Sequence, residues 1–163
     1  MPDLSSAIAS DIAWYYEFIA AHFHKWVDPL TQGQFWHNPF PYGNSVGHLT
    51  LHLTGNLNYY IGARVEETGY VRDRDREFTE TRKLEKAKVL EAFDQAIAMV
   101  VSTARKQKPE NWLAPYSADL EPEAADRFMI FLRCAGHAYH HVGQIILLSK
   151  ELTKEAEPRS ACA

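Results

Sequence analysis

Residues 137–145, HAYHHVGQI, place three histidines within five positions and then return to an apolar run. The apolar residues around them recur every three or four positions, which is the spacing of an amphipathic helix. Relative to Ala138, at the centre of the apolar stripe, His137 and His141 lie on the same side at about 100° and about 60°. His140 lies about 160° away, on the opposite face. The spacing predicts that His137 and His141 flank a helical core, and that His140 faces water or a partner chain.

A pair of histidines cannot complete a metal site alone, so a third ligand must come from elsewhere in the chain. Residues 45–60, SVGHLTLHLTGNLNYY, form another amphipathic pattern, in which His52 lies about 100° from the centre of the apolar stripe. His48 lies at about 140° and is expected to lean towards solvent. The sequence predicts that His52, His137 and His141 supply three nitrogens at the edge of a core and leave one coordination position open.

Two explanations of these histidines compete. Two histidines four residues apart on a helix often arise by chance, and they then have a structural role. However, three buried neutral imidazoles without a ligand would each cost about 1–3 kcal/mol, and a single metal ion would satisfy all three. The sequence therefore favours a divalent metal, and a set of three nitrogens suits zinc, nickel, iron or copper.

Other residues are candidates for supporting the metal ligands. Gln144 lies on the ligand side of its helix and could bond the free N–H of a ligand or contact substrate, or be an ordinary surface residue. Asn56 follows His52 by one turn and could line the cavity or form a hydrogen bond at the edge of the core. Gly143 costs the helix about 1 kcal/mol relative to alanine, which indicates either close packing of a neighbouring helix, the preferred explanation, or simple tolerance of a glycine there.

Two connections contain residues that could contact a substrate. The aromatic stretch QFWHNPFPY, residues 34–42, could form a lid with His37 as a substrate contact, or plug one end of the core. The charged stretch RDREF, residues 74–78, could hold a charged group through Arg74 or Arg76, although charge runs in loops are usually solvated.

Four amphipathic segments predict an all-α protein, most economically a four-helix bundle. These segments are residues 4–27, 45–67, 84–107 and 123–152. Asn44 or Ser45 is placed to cap the second of them. With 163 residues, 46% of them hydrophobic, the chain suits one metal-binding domain over residues 1–152, followed by a flexible tail over residues 153–163.

Composition limits the partners and the compartment. Lys and Arg number 17 and Asp and Glu number 21, so the formal charge of −4 does not favour a nucleic-acid partner. No apolar stretch is long enough to cross a membrane, and the N-terminal stretch lacks the pattern of a secretory signal. The two cysteines form no C-x-x-C pair, so we expect a reducing, cytoplasmic setting.

The stretches SVGHLTLHLTGNLNYYIG and HAYHHVGQIILL, with RDREF between them, resemble the DinB/YfiT-like superfamily. The resemblance extends over nearly the whole chain. It implies a four-helix bundle in which His52, His137 and His141 bind a divalent metal ion, commonly nickel or zinc, with iron as a further possibility. Members with known activity include thiol-dependent S-transferases, maleylpyruvate isomerase-like enzymes and hydrolase-like proteins, and many are dimers.

Three functions remain open at this point. The chain could be a metal-dependent enzyme that activates a low-molecular-weight thiol or water for S-transfer or hydrolysis on a small molecule. It could instead be a non-catalytic metal-binding stress-response protein, or a helical homodimer with structural histidines. No carboxylate is placed by spacing as a general base, and no flavin, haem or nucleotide motif favours redox chemistry.

Overall fold

The computed structural model describes residues 3–119 and 121–154, and within these ranges the protein is all-α with no β-strand. The bounds of its helices, in chain order, are α1 (Leu4–Val27), α2 (Gln32–Trp36), α3 (Val46–Leu57), α4 (Arg74–Thr79), α5 (Lys86–Arg105), α6 (Pro109–Trp112) and α7 (Arg127–Leu152). A π-helical segment, Asn58–Ala63, continues α3.

The four long helices enclose the apolar core. Helix α1 packs against α5 and α7, and α3 packs against the same two helices. The buried apolar side chains form one continuous cluster, in which the rings of Phe23 and Phe93 lie 4.2 Å apart between α1 and α5. The buried Tyr16 hydroxyl donates a hydrogen bond to the Phe131 carbonyl oxygen at 2.8 Å, which satisfies its polar group and ties α1 to α7.

The ends of two predicted helices differ from the observed ones. The second helix, predicted to reach residue 67, changes to π-helical geometry after Leu57 and ends at Ala63. The last helix, predicted from residue 123, begins at Arg127 because the Asp126 side chain caps it by accepting from the Met129 backbone N–H at 2.8 Å. Of the two predicted caps of α3, Ser45 is the one observed.

Three short helices, α2, α4 and α6, lie in connections that the sequence analysis treats as irregular. Helix α2 is stabilised by a capping box in which Thr31 and Gln34 bond each other's backbone N–H groups. Helix α4 is capped by Asp73, whose side chain accepts from the Arg76 backbone N–H at 3.2 Å. The charged RDREF stretch is therefore an ordered helix and not a solvated loop.

Two glycines of α3 allow the short helices to approach its backbone closely. A Cβ atom at Gly47 would lie 2.5 Å from the Trp36 ring of α2, and one at Gly55 would overlap the Glu77 carboxylate of α4. Only a residue without a side chain permits such contacts. The two glycines thus allow α2 and α4 to pack closely against α3, one before His52 in the helix and one after it.

Other expectations concern membranes, cysteines and the end of the chain. Among the described residues, no helix is long and apolar enough to cross a membrane. Cys134 is free and buried, whereas Cys162 lies outside the described residues. The predicted tail, residues 153–163, also lies outside them except for Thr153 and Lys154.

Candidate metal centre

His52 of α3 meets His137 and His141 of α7, and these residues form what we call the three-histidine cluster. Each offers one ligand atom, and these atoms all lie within 4.8 Å of one another. The ring centroids are 4.5–5.0 Å apart and the rings are steeply inclined to one another, at 71–85°. The structure therefore brings together the three histidines that the sequence analysis selected.

Glu77 fixes the orientation of His52. The Nδ1–H of His52 donates to Oε2 of Glu77 at 2.8 Å, so the lone pair of its Nε2 points into the cluster. Arg72 donates to both carboxylate oxygens of Glu77, at 2.7 Å and 2.8 Å, and all three side chains are only 6% exposed. Burial alone would raise the pKa of Glu77, but the hydrogen bonds from His52 and Arg72 outweigh it and lower that pKa. Glu77 is thus a buried carboxylate that holds a ligand histidine in one tautomer.

No periodic pattern in the sequence singles out Glu77 or Arg72. The available signal was Gly55, a glycine inside a helix three residues after His52, because such a glycine often marks a close approach. Glu77 also lies within the RDREF stretch that contributes to the family resemblance. Neither explanation of that stretch, a solvated charge run or an arginine that holds a charged group, gives its glutamate a role, whereas α4 buries Glu77 against α3.

Gln144 supports His141 in a similar way. The Nδ1–H of His141 donates to Oε1 of Gln144 at 2.7 Å, which leaves Nε2 of His141 for the cluster. The Gln144 amide in turn lies 3.2 Å from Nε2 of the exposed His140, to which it can donate. The predicted contact between Gln144 and a cluster histidine is therefore present, and His140 lies outside the cluster.

Asn56 and His48 do not have the environments predicted for them. Asn56 is buried, but among the described residues it neither lines the cavity beside the cluster nor forms a hydrogen bond with His52. His48 does not lean into solvent: it is half-buried, with Ser45 Oγ 2.7 Å from its Nδ1 and the Glu80 carbonyl oxygen 3.0 Å from its Nε2. These two bonds turn His48 away from the three-histidine cluster and towards the end of α4.

Gly143 was predicted to allow close packing of a neighbouring helix, and this prediction is wrong. The residue is exposed, and an added Cβ atom would meet nothing within 4 Å among the described residues. A side chain could therefore be accommodated at position 143, and the packing of the described residues does not require a glycine there.

Two of the cluster histidines are neutral at physiological pH. Burial, together with the neighbouring His141 and His52, lowers the pKa of His137 to about 3. Burial also lowers the pKa of His141, against the opposing hydrogen bond to Gln144. Because metals bind the unprotonated imidazole, these two ligands need not release a proton when a metal ion enters.

The donor set fits a divalent metal ion. Nε2 of His52 lies 2.9 Å from Nε2 of His137, so two ring nitrogens face each other directly. Two nitrogens bound to a tetrahedral zinc ion lie about 3.3 Å apart, given metal–nitrogen distances of about 2.0–2.1 Å. A separation of these two rings by a few tenths of an ångström would bring this pair of nitrogens to that spacing. Three imidazole nitrogens suit zinc, nickel, iron or copper, as the sequence analysis expected.

A cavity of about 480 Å³ opens beside the cluster and contains all three histidines in its wall. Part of the remaining wall is aromatic, because the rings of Phe40 and Tyr42 stack 5.8 Å apart and both line the cavity. Phe35 and Trp36 belong instead to the buried core, and His37 is exposed and does not line the cavity. Of the two roles considered for this stretch, Phe40 and Tyr42 border the cavity as a lid would, and Phe35 and Trp36 fill the core.

The two arginines of the charged stretch RDREF have different surroundings. Arg74 lines the cavity, whereas Arg76 lies outside it and pairs with Glu80 at 3.7 Å. Among the described residues that line the cavity there is no carboxylate. The described wall of the cavity therefore combines three imidazoles, apolar surface and one permanent positive charge.

A family model of the DinB superfamily matches residues 15–145, a range that includes the three histidines and Glu77. The chain belongs to the DinB superfamily. Comparison with curated proteins and with solved structures gave no match. The family resemblance inferred from the histidine-containing segments is confirmed, and the site of this DinB-superfamily protein lies wholly within the matched range.

Proposed function

We propose that this protein is a metal-dependent enzyme that activates a thiol or water for S-transfer or hydrolysis on a small molecule. His52, His137 and His141 would hold the metal, with nickel or zinc as the first candidates and iron as another. The observation that carries the proposal is the convergence of three imidazoles on one wall of a cavity of about 480 Å³. That volume is within the usual range for small-molecule sites.

The residues around the cluster have separate tasks. Held by three imidazoles, which carry no negative charge, a divalent ion would keep its full charge and would supply a lowered pKa to a water or thiol. Glu77 and Gln144 keep the rings of His52 and His141 in the required tautomers. Phe40 and Phe78 give the adjoining space an apolar wall, and a wall of low polarity strengthens electrostatic interactions beside it. Since no carboxylate lines the described cavity, activation of a nucleophile is better supported than proton abstraction by a carboxylate base.

The first test is metal content in protein purified without a nickel column. We expect about one metal ion per chain, lost on chelation and in the variants His52→Ala, His137→Ala and His141→Ala. The variants His48→Ala and His140→Ala are matched controls that should retain the metal, because both side chains lie outside the cluster. Equal loss in a control variant would show that the ligand set is wrong.

The second test separates an enzyme from a non-catalytic metal-binding protein. The cobalt-substituted protein would be titrated with thiols such as cysteine and with simple esters, while the visible spectrum and product formation are followed. A spectral change with turnover is expected, because three protein ligands leave a coordination position for another molecule. Full metal occupancy without binding of any added ligand would refute the enzymatic proposal and favour the non-catalytic function.

We further propose that α1, α3, α5 and α7 constitute the four-helix bundle expected from the family, and that two copies form a cytoplasmic homodimer. The pairing of these four helices supports the first part. An exposed apolar surface on α1 and α7 supports the second: it includes Trp14 at 60% exposure and Leu132 at 44%.

A further inference from the structure

Arg74 differs from the arginines on either side of it. Arg72 forms a buried ion pair with Glu77, and Arg76 pairs with Glu80. Arg74 has no carboxylate partner within residues 3–119 and 121–154, and it is the one arginine or lysine among the described residues that line the cavity. A cation that faces a cavity without an internal partner can accept an anionic ligand.

The position of the Arg74 side chain suits a planar anion. Its guanidinium carbon lies 5.6 Å from the centre of the Phe78 ring, within the range of a cation–π contact. Such a contact restricts the guanidinium plane while leaving its edge N–H groups available. These N–H groups match the two oxygens of a carboxylate in a bidentate arrangement.

The composition of the cavity wall limits the chemistry of the ligand that carries the anionic group. Phe40, Phe78, Leu49 and Leu147 provide apolar surface, and no acidic side chain among the described lining residues opposes a negative charge. A phosphate dianion carries two negative charges, and the described wall offers a single permanent cation to balance them. A carboxylate with an apolar body satisfies both the single arginine and the apolar walls.

We propose that the cavity binds an apolar monocarboxylic acid, with its carboxylate on Arg74 and its body between Phe40 and Phe78. The opposite end of the ligand then reaches the three-histidine cluster, which lines the same cavity. This inference rests on the proposed function, because it names the substrate class of the same site. Arg74 determines specificity for the acid over its neutral amide.

The test measures binding of 4-phenylbutyrate and of its amide by calorimetry, with chelated protein and with metal-loaded protein. In chelated protein the acid cannot bind through a metal, so the contribution of Arg74 is isolated. We expect the acid to bind about tenfold or more tighter than the amide, and Arg74→Gln to remove that preference. Arg76→Gln is the matched control on the same helix: it removes an equal charge outside the cavity, and the preference should be unchanged.

The outcomes distinguish this inference from the proposed function. Equal binding of acid and amide, equal effects of Arg74→Gln and Arg76→Gln, or no saturable binding at millimolar acid would each overturn the carboxylate site. Binding of the acid that depends on Arg74, in a protein that contains no metal as purified and takes up none when metal is added, would support the carboxylate site and refute the metal-dependent function. Normal metal content together with loss of acid selectivity only in Arg74→Gln would support both.

Discussion

Glu77 orients His52, the member of the three-histidine cluster that α3 contributes. It accepts a hydrogen bond from His52 while Arg72 holds both of its oxygens in a buried pair. Without this carboxylate, the His52 ring could rotate or adopt the other tautomer. We therefore predict that Glu77→Gln lowers metal affinity roughly 10–100-fold, measured by competition with a chromophoric chelator.

Glu80→Gln provides the control for this prediction. The Glu80 side chain is also buried at 4% exposure and bonds Arg82, but its carboxylate contacts no histidine of the cluster. Circular dichroism would verify that both variants are folded, because removal of a buried ion-pair partner also destabilises a protein. If the two variants lost metal affinity to the same extent, the effect of Glu77→Gln would be one of general stability.

The sequence identifies the cluster histidines but not the carboxylate that orients one of them. His52, His137 and His141 follow from helical angles, which depend only on spacing within a regular helix. The position of Glu77 depends on where the connection after α3 folds back onto that helix. The close approach of Glu77 to Gly55 fixes this place. Tertiary contacts of that kind have no periodic pattern in the sequence.

At the scale of the helix, α7 contains a glycine that its packing does not require. Gly143 is exposed and an added Cβ atom meets no described residue within 4 Å. We predict that Gly143→Ala stabilises the protein by about 1 kcal/mol in urea denaturation, because alanine loses less backbone entropy in a helix. Gly47→Ala should instead destabilise it, since its Cβ atom would lie 2.5 Å from Trp36. A destabilised Gly143→Ala variant would indicate that a partner chain covers this position.

Helices α1 and α5 are joined by a histidine between two carboxylates. His24 lies 2.8 Å from Asp28 and 2.7 Å from Asp94, and it bonds them through opposite ring nitrogens. Burial lowers the pKa of His24, but the hydrogen bonds to both aspartates outweigh this and raise the pKa above its ordinary value. The charged form of His24 therefore stabilises the folded state.

The stabilisation by His24 should depend on pH. Because the folded-state pKa is raised, the contribution is complete below the ordinary histidine pKa of 6.5 and is lost as pH rises through the raised value. Since both aspartates are more than half exposed, we expect no more than about 1 kcal/mol. Urea denaturation of wild type and His24→Gln across this pH range would measure it, with His22→Gln as the control. A difference that grows with pH would contradict the assignment.

The four long helices follow from sequence because each repeats its apolar pattern over several turns. Short helices such as α4 span fewer than two turns, too few to distinguish a helix from a charged loop. Helix α4 is stable because Asp73 caps it and because Glu77 is buried against α3. The six residues of α4 therefore form a helix because of their contacts with the rest of the protein more than because of their own sequence.

At the scale of the whole molecule, an exposed apolar surface joins α1 and α7 within the part of the chain that the structure describes. On α1, Trp14 stacks 5.4 Å from Phe18, and the ring of Tyr139 on α7 lies 6.2 Å from Phe18. Leu132 continues this surface along α7 and lines a groove beside Tyr15. Exposed apolar residues are ordinary when scattered, but a continuous surface across two helices is typical of an interface.

We therefore predict that the α1–α7 surface is the two-fold interface of a homodimer. In sedimentation at micromolar concentration, wild type should be dimeric and Leu132→Lys monomeric, because the lysines would bring buried charge into a symmetric contact. Val71→Lys is the control, since Val71 is 87% exposed in the connection before α4 and lies away from this surface. Metal content should be the same in both variants, because the three-histidine cluster is formed within one chain. A monomeric wild type would refute the dimer, and dissociation by Val71→Lys but not by Leu132→Lys would place the interface elsewhere.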